Sequence, residues 1–203
     1  CGSPVQTTVI LTTVIYAANK LQTMNYLHRE ASRKSGVSLE DAKIIEQLDI
    51  WEALGGDEDE EGTLDIFKTI STSFYNRVFN DEEQWFRDIF AAITREEAIQ
   101  NQYEFLAEQV GGPKLYSERK GKQALIGRHG PYRVDDRAAG RWLAHMRRAL
   151  FEDLPARAME ADLREALWLY LQHTAYYIST GRSLVKTTRL VGYGSRPGGY
   201  HHG

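Results

Sequence analysis

Cysteine and long apolar runs are scarce in this sequence, and each scarcity excludes a class of protein. Cys1 is the one cysteine among 203 residues, so a fold built on internal disulfides is excluded. A reducing, cytoplasmic location is expected, with targeting to an organelle as the alternative. The apolar run VILTTVIYA at 9–17 is far shorter than the roughly 20 residues of a membrane helix, so we expect no membrane span. Because the chain begins with Cys rather than Met, we expect a processed or partial sequence.

Charge of one sign is not in excess either. The chain carries 25 basic and 28 acidic residues, for a formal net charge of -3. It therefore has no basic field to steer it onto nucleic acid or an anionic membrane, and neither is an expected partner. Hydrophobic residues make up 42% of the chain, which is enough for the core of one domain with extensions.

Alternating β-branched runs are almost absent after residue 20, whereas apolar residues recur at spacings of three and four. The sequence therefore predicts an all-α fold. We divide the chain into an N-terminal helical extension at 1–36, a compact domain at 37–182 and a C-terminal tail at 183–203. The tail is basic and rich in glycine, a composition that predicts disorder.

Capping signals predict the ends of several helices. Ser38 with Asp41, and Thr94 with Glu97, have the spacing of a capping box at a helix N-terminus. Further cap candidates are Asp81 with Gln84, and either Asp135 or Asp136.

Segments between the caps are expected to be irregular. The acidic run at 57–61 predicts a solvated loop before a helix that starts near Thr63. Glycine and proline interrupt residues 114–134, which predicts a loop with about one helical turn. The last helix is expected over 158–179, before Gly181.

Three polar-tipped side chains lie on helix faces that are otherwise apolar: Tyr75, Gln102 and Trp142. A buried amide without a partner costs on the order of 1 to 3 kcal/mol, and buried Tyr and Trp side chains need hydrogen-bond partners as well. In one interpretation the three are separate core residues bonded to backbone carbonyls. In the other they converge on a small polar ligand.

Four motifs occur in an order and at intervals that resemble the group II truncated haemoglobins, in particular their plant and algal members: FYNRVF, GGPKLYSERKG, RHGPYR and RWLAHM. The resemblance covers about residues 37–180. It implies a two-over-two helical sandwich, a truncated globin domain, around haem b. It also implies a homodimer, by analogy with the plant-type members.

By position, His129 matches the proximal haem ligand, the one protein bond to iron. The resemblance further implies that Tyr75, Gln102 and Trp142 contact a diatomic ligand on the opposite face, where Ala98 forms a small apolar gate. The other histidines match no ligand position: His28, His145, His173, His201 and His202.

Five more residues are expected to contact the porphyrin on the same resemblance. Phe90 matches the aromatic wall against the ring. Arg128 and Tyr116 match positions that hold the haem propionates, with Arg119 and Arg133 as further candidates. Arginine suits this role because its planar guanidinium pairs with a carboxylate.

The function implied by the resemblance is reversible binding of oxygen, carbon monoxide and nitric oxide, in oxygen binding, transport or sensing. The alternative is a haem enzyme, a nitric-oxide dioxygenase or a peroxidase-like protein. It would need a separate reductase, because no G-x-G-x-x-G motif follows a strand. In a third interpretation the chain is a haem-free helical interaction module, and His129 and the three polar side chains are structural residues.

Overall fold

The computed structural model describes residues 4–121 and 124–193, and these residues form helices and turns with no strand, as the apolar spacing predicts. Cys1, His201, His202 and the tail after 193 lie outside the described residues. The α-helices of the described part are α1 (Pro4–Ser35), α2 (Leu39–Ala42), α3 (Ile44–Gln47), α4 (Ile50–Ala53), α5 (Glu60–Phe79), α6 (Gln84–Arg87), α7 (Arg95–Gln109), α8 (Leu115–Lys120), α9 (Leu125–Arg128), α10 (Asp136–Arg148) and α11 (Ala161–Tyr193).

Two pairs of long helices build the core. Helix α5 packs against α7, α10 packs against α11, and α5 also contacts α10. Their apolar faces meet in one cluster of fully buried side chains, and burying each large one contributes roughly 1.5–3 kcal/mol. The largest members are Phe67, Ile70, Phe74, Leu106, Met146 and Leu167.

Three of the predicted caps are confirmed. The side chains of Ser38, Thr94 and Asp135 each accept a hydrogen bond from the backbone N–H three residues further along. Each bond satisfies one of the N–H groups that a helix start leaves without a partner, which is worth about 1 kcal/mol. These caps fix where α2, α7 and α10 begin.

Two helix boundaries differ from the prediction. Helix α5 begins at Glu60 with Asp59 as its cap, so the end of the acidic run forms a first turn, where negative charge suits the helix dipole. Helix α11 covers Ala161–Tyr193, so the expected disorder is wrong for 183–193. The glycine at 181 does not end the helix. Instead it allows close packing, since a Cβ there would lie 2.4 Å from Cδ1 of Ile126.

Asp81 does not cap a helix as predicted. Helix α6 begins after Glu83, and the side chain of Asp81 is completely buried. Its carboxylate accepts hydrogen bonds from the Glu83 N–H at 2.7 Å, from Arg141 at 2.8 Å and from His145. Asp81 therefore ties the end of α5 to α10.

The segment 114–134 contains more helix than predicted. Helices α8 and α9 both lie within it, and side chains on α7 hold α8 in place. The Ser117 N–H donates to Glu108 at 2.9 Å, and Arg119 Nε donates to the buried Glu104 at 2.9 Å. Side-chain hydrogen bonds from α7 thus support α8, whereas Ile126 of α9 packs against α11 at Gly181.

Two glycines flank the buried indole of Trp51. A Cβ at Gly56 would lie 2.2 Å from the ring, and a Cβ at Gly112 would lie 2.5 Å from it. Any larger residue would displace Trp51 from the core, where it is 5% exposed. Gly56 and Gly112 therefore make room for Trp51 in the core.

Helix α1 packs on α11 through its C-terminal part. His28 Nδ1 lies 3.0 Å from Nε2 of His173 on α11, and Lys34 Nζ lies 2.8 Å from the carboxylate of Asp136 on α10. Residues 17–26 of the same helix are exposed. None of the described helices combines the length and apolar character that crossing a membrane requires.

Candidate functional site

A cavity of about 590 Å³ lies between the long helices and the segment that carries α8 and α9. Its volume falls within the range of small-molecule and cofactor pockets. Seven of the ten predicted site residues line it: Tyr75, Phe90, Gln102, Tyr116, Arg128, His129 and Trp142.

His129 is held in an orientation suited to a metal ligand. It follows α9, and its Nδ1 lies 2.7 Å from the carbonyl oxygen of Leu125. An imidazole that donates from Nδ1 keeps the electron pair of Nε2 for a metal. Burial lowers the pKa of His129, the Leu125 hydrogen bond opposes this shift, and the charge of Arg182 adds to it. The ring is therefore neutral near pH 7, the state that binds iron.

Aromatic contacts hold Tyr75 and Trp142 at the cavity. Phe74 packs between them, with ring centroids 4.8 Å from Tyr75 and 5.0 Å from Trp142. Tyr75 also contacts Phe90 edge-on, at 6.0 Å between the ring centroids. Burial raises the pKa of Tyr75 well above its ordinary value, so its hydroxyl stays protonated and can donate a hydrogen bond.

Gln102 carries a buried oxygen atom without a partner. The residue lies on α7, is 9% exposed and lines the cavity. Among the described residues no group donates to its Oε1. Such an orphaned amide oxygen costs on the order of 1 to 3 kcal/mol, so its position favours a cavity that holds a polar ligand.

Arg128 and Tyr116 form part of the cavity rim. The Arg128 guanidinium lies 5.4 Å from the centre of the Tyr116 ring. It also donates to the carbonyl oxygen of Gly121 at 3.1 Å and to that of Lys120. Arg128 therefore supports the chain between α8 and α9, a role that the sequence did not predict.

Three predicted site residues do not line the cavity. Ala98 is buried on α7 one turn before Gln102 but is not among the residues that line the cavity. Arg119 turns instead toward Glu104 and Asn101, because the buried Glu104 carboxylate requires a cation. Arg133 lies in the exposed chain before α10.

Other residues line the cavity that sequence reasoning missed. Lys120 Nζ lies 2.8 Å from Oε1 of Glu97 at the rim of the cavity. The sequence indicates Glu97 only as part of a capping box. The Tyr132 ring lies 6.4 Å from that of His129. Lys120 lies in the motif GGPKLYSERKG and Tyr132 in the motif RHGPYR. Their place in these motifs is the one feature of the sequence that could have indicated a role at the site.

Comparison with known proteins gives a family and a set of relatives. Residues 49–178 match the model of the bacterial-like globin family. The chain is 42% identical to two-on-two hemoglobin-3 of Arabidopsis thaliana over 161 residues, which cover 79% of this chain and 86% of that protein. It is 43% identical to group 2 truncated hemoglobin 3-1 of Lotus japonicus, over 79% of this chain and 89% of that protein.

A solved structure shares the fold. The thermostable hemoglobin of the actinobacterium Thermobifida fusca superposes with a TM-score of 0.54 at 34% identity, over 64% of this chain and 95% of that one. The chain therefore belongs to the bacterial-like globin family, and the two helix pairs are the two-over-two arrangement of a truncated haemoglobin. Membership implies that the protein binds haem and diatomic gases such as oxygen.

The residues of the cavity fit a haem group. One neutral imidazole is directed by its Leu125 hydrogen bond, aromatic side chains can cover a flat apolar ring, and Gln102 presents an unpaired polar atom. A guanidinium and an ammonium group at the rim, from Arg128 and Lys120, could pair with carboxylates.

Proposed function

We propose that the protein holds haem b in this cavity, where His129 would bind the iron, and reversibly binds oxygen, carbon monoxide and nitric oxide there. Haem supplies the iron that binds a diatomic gas. The protein supplies the single imidazole, the apolar walls and the donors that select among ligands.

The meeting of three polar side chains at one cavity is the observation that carries the proposal. One of them, Gln102, is not satisfied by the core, because its Oε1 has no partner among the described residues. Tyr75 and Trp142 line the same cavity from α5 and α10. Three polar side chains from three different helices thus meet at one space, as expected for a ligand site and not for separate core residues.

The chemistry of these side chains suits oxygen in particular. The phenol of Tyr75, the amide of Gln102 and the indole of Trp142 can all donate hydrogen bonds. Oxygen gains partial negative charge in haem proteins and carbon monoxide gains less, so the donors stabilise oxygen more. Because aromatic packing already orients Tyr75 and Trp142, ordering them costs little on binding.

The test is reconstitution of the purified chain with haem. We expect a Soret band at one haem per chain, and reversible spectral changes when oxygen is added and removed from the reduced protein. Carbon monoxide should give a distinct spectrum, and His129→Ala should lose stable haem. A chain that takes up no haem would instead be the haem-free helical module.

A further inference from the structure

Arg182 lies in the C-terminal half of α11, next to the turn that contains His129 and Gly130. The two elements touch closely, because Gly181 leaves no side chain between α11 and Ile126 of α9. Next to that contact, Nη1 of Arg182 lies 4.0 Å from the position that a Cβ on Gly130 would occupy. Arg182 is therefore adjacent to the residue that follows the proposed ligand.

The side chain of Arg182 is mostly buried, and its Nε lacks a partner. The residue is 9% exposed, its Nε has no hydrogen-bond partner, and no carboxylate of the described residues forms a salt bridge with it. Arg164, also buried on α11, differs: it donates to several carbonyl oxygens, among them that of Leu150 at 2.6 Å. A buried polar atom without a partner costs about 1 to 3 kcal/mol, so packing alone does not explain a cation at 182.

The position of Arg182 lets its charge act on His129. Nη1 lies beside Gly130, the residue that follows His129 in the chain, and the same charge contributes to the lowered pKa of the imidazole. Solvent screens this interaction little because both residues are largely removed from water, and charges interact strongly at low effective dielectric. The other arginines near this side of the cavity are engaged elsewhere, with Arg119 on Glu104 and Arg128 on Gly121.

We propose that Arg182 is a positioning residue that acts through His129, where its fixed positive charge makes the imidazole a weaker electron donor and favours reduced over oxidised haem iron. This inference rests on the proposed ligation of haem by His129. Its physical basis is that ferric haem carries one more positive charge than ferrous haem, so a nearby cation disfavours the oxidised state. The function served is retention of the ferrous state, which is the state that binds oxygen.

The test compares two substitutions in the haem-loaded protein. Arg182→Met removes the charge and keeps a long side chain, whereas Arg182→Lys keeps the charge. We expect Arg182→Met to shift the reduction equilibrium about tenfold toward the ferric state, which is about 59 mV for one electron. The iron–histidine stretching frequency should rise, because the imidazole becomes a stronger donor. Arg182→Lys should restore both values most of the way to those of the parent.

Arg33→Met is the matched control for net charge. It removes one cation from α1, where the Arg33 side chain is 66% exposed and paired with Glu30. Solvent screening should leave the reduction potential at the parent value.

Three outcomes would overturn the inference. The first is a haem-loaded Arg182→Met variant with an unshifted potential, and the second is an equal shift in Arg182→Lys, which would show an effect of shape. The third is haem loss from Arg182→Met that Arg182→Lys does not repair, which would show that the side chain serves packing. Each leaves haem binding by the parent intact, whereas failure of the parent to take up haem would contradict the proposed function itself.

Discussion

The two sides of the cavity are held in place by different forces. Tyr75, Gln102 and Trp142 project from α5, α7 and α10, and we call these three helices the helical wall. His129 and Arg128 project from the segment 113–135, which we call the loop side. Buried apolar packing orders the helical wall, whereas hydrogen bonds and ion pairs order the loop side.

Because of this difference, the rigid helical wall and the more mobile loop side suit different tasks. Donors that select a ligand must keep a fixed geometry, and long helices with a shared core provide it. A segment held by hydrogen bonds and only partly buried opens at lower free energy than the core does. We therefore expect the described residues of the loop side, 113–121 and 124–135, to open at lower free energy than the helical wall.

The largest effect is expected at the loop side, from His129→Ala. It removes the one imidazole among the described residues that line the cavity, so the variant should lose stable haem, or retain haem only when free imidazole is added. Haem content per chain and the ferrous carbon-monoxide spectrum measure this. His28→Gln, which lies on α1 next to His173, should bind haem as the parent does. An unchanged carbon-monoxide spectrum in His129→Ala would rule out this ligand.

The next effect concerns the buried charge that ties two helices of the wall together. Burial opposes ionisation of Asp81, but hydrogen bonds from Arg141, from the Glu83 N–H and from His145 lower its pKa to about 2, from an ordinary 3.8. The folded state therefore binds this proton less readily than the unfolded state. The resulting stabilisation is complete above about pH 5 and is lost as the pH falls through 2, and it amounts to about 2 kcal/mol.

Urea unfolding at several pH values between 6 and 2 tests this linkage. Between those limits the free energy of unfolding should fall by about 2 kcal/mol more in the parent than in Asp81→Asn. Asp153→Asn is the control. Its carboxylate also pairs with an arginine, Arg77, but is 32% exposed, so a smaller difference is expected. Parallel pH profiles of the parent and Asp81→Asn would contradict the assigned role of Asp81.

A smaller effect is expected from single donors of the wall. Removing one neutral hydrogen bond costs about 0.5 to 1.5 kcal/mol, so Trp142→Phe or Tyr75→Phe should speed oxygen release about 2-fold to 13-fold. Carbon-monoxide release should change less. The effects of the two substitutions on the free energy of oxygen binding should not be additive, because both donors share one acceptor. Stopped-flow displacement of oxygen measures the release rate in both single variants and in the double variant. Release at the parent rate in all three would show that Tyr75 and Trp142 are core residues that do not contact the ligand.

The smallest effect is expected from Arg128→Ala at the rim. If Arg128 pairs with a propionate near solvent, the pair is worth about 0.2 to 1 kcal/mol, and haem loss should quicken about 1.4-fold to 5-fold. Ligand-binding spectra should stay unchanged, because Arg128 acts on the edge of the cofactor. Haem transfer to an acceptor protein gives the rate. Arg133→Ala, at an exposed position off the cavity wall, should lose haem at the parent rate.

Prediction from the sequence worked unequally for the two sides. The three residues of the helical wall could be predicted, because each places a polar group on an otherwise apolar helix face and helical periodicity is a local property of the sequence. His129 could not, since a histidine before a Gly-Pro step has many uses, and only the resemblance indicated its role. The partners of Arg119 and Asp81 were missed because each lies on a different helix, 15 residues away for Glu104 and 60 for Arg141.

Local sequence was sufficient for the helical class, the caps at Ser38, Thr94 and Asp135, and the faces that enter the core. These features depend on residues within one or two turns of each other. Which cation meets which anion, and whether a charge is buried, depends on how distant helices pack. Gly181 illustrates this limit. In the sequence it indicates a helix end, whereas in the folded chain it allows close contact with Ile126 and so places Arg182 near the turn at His129 and Gly130.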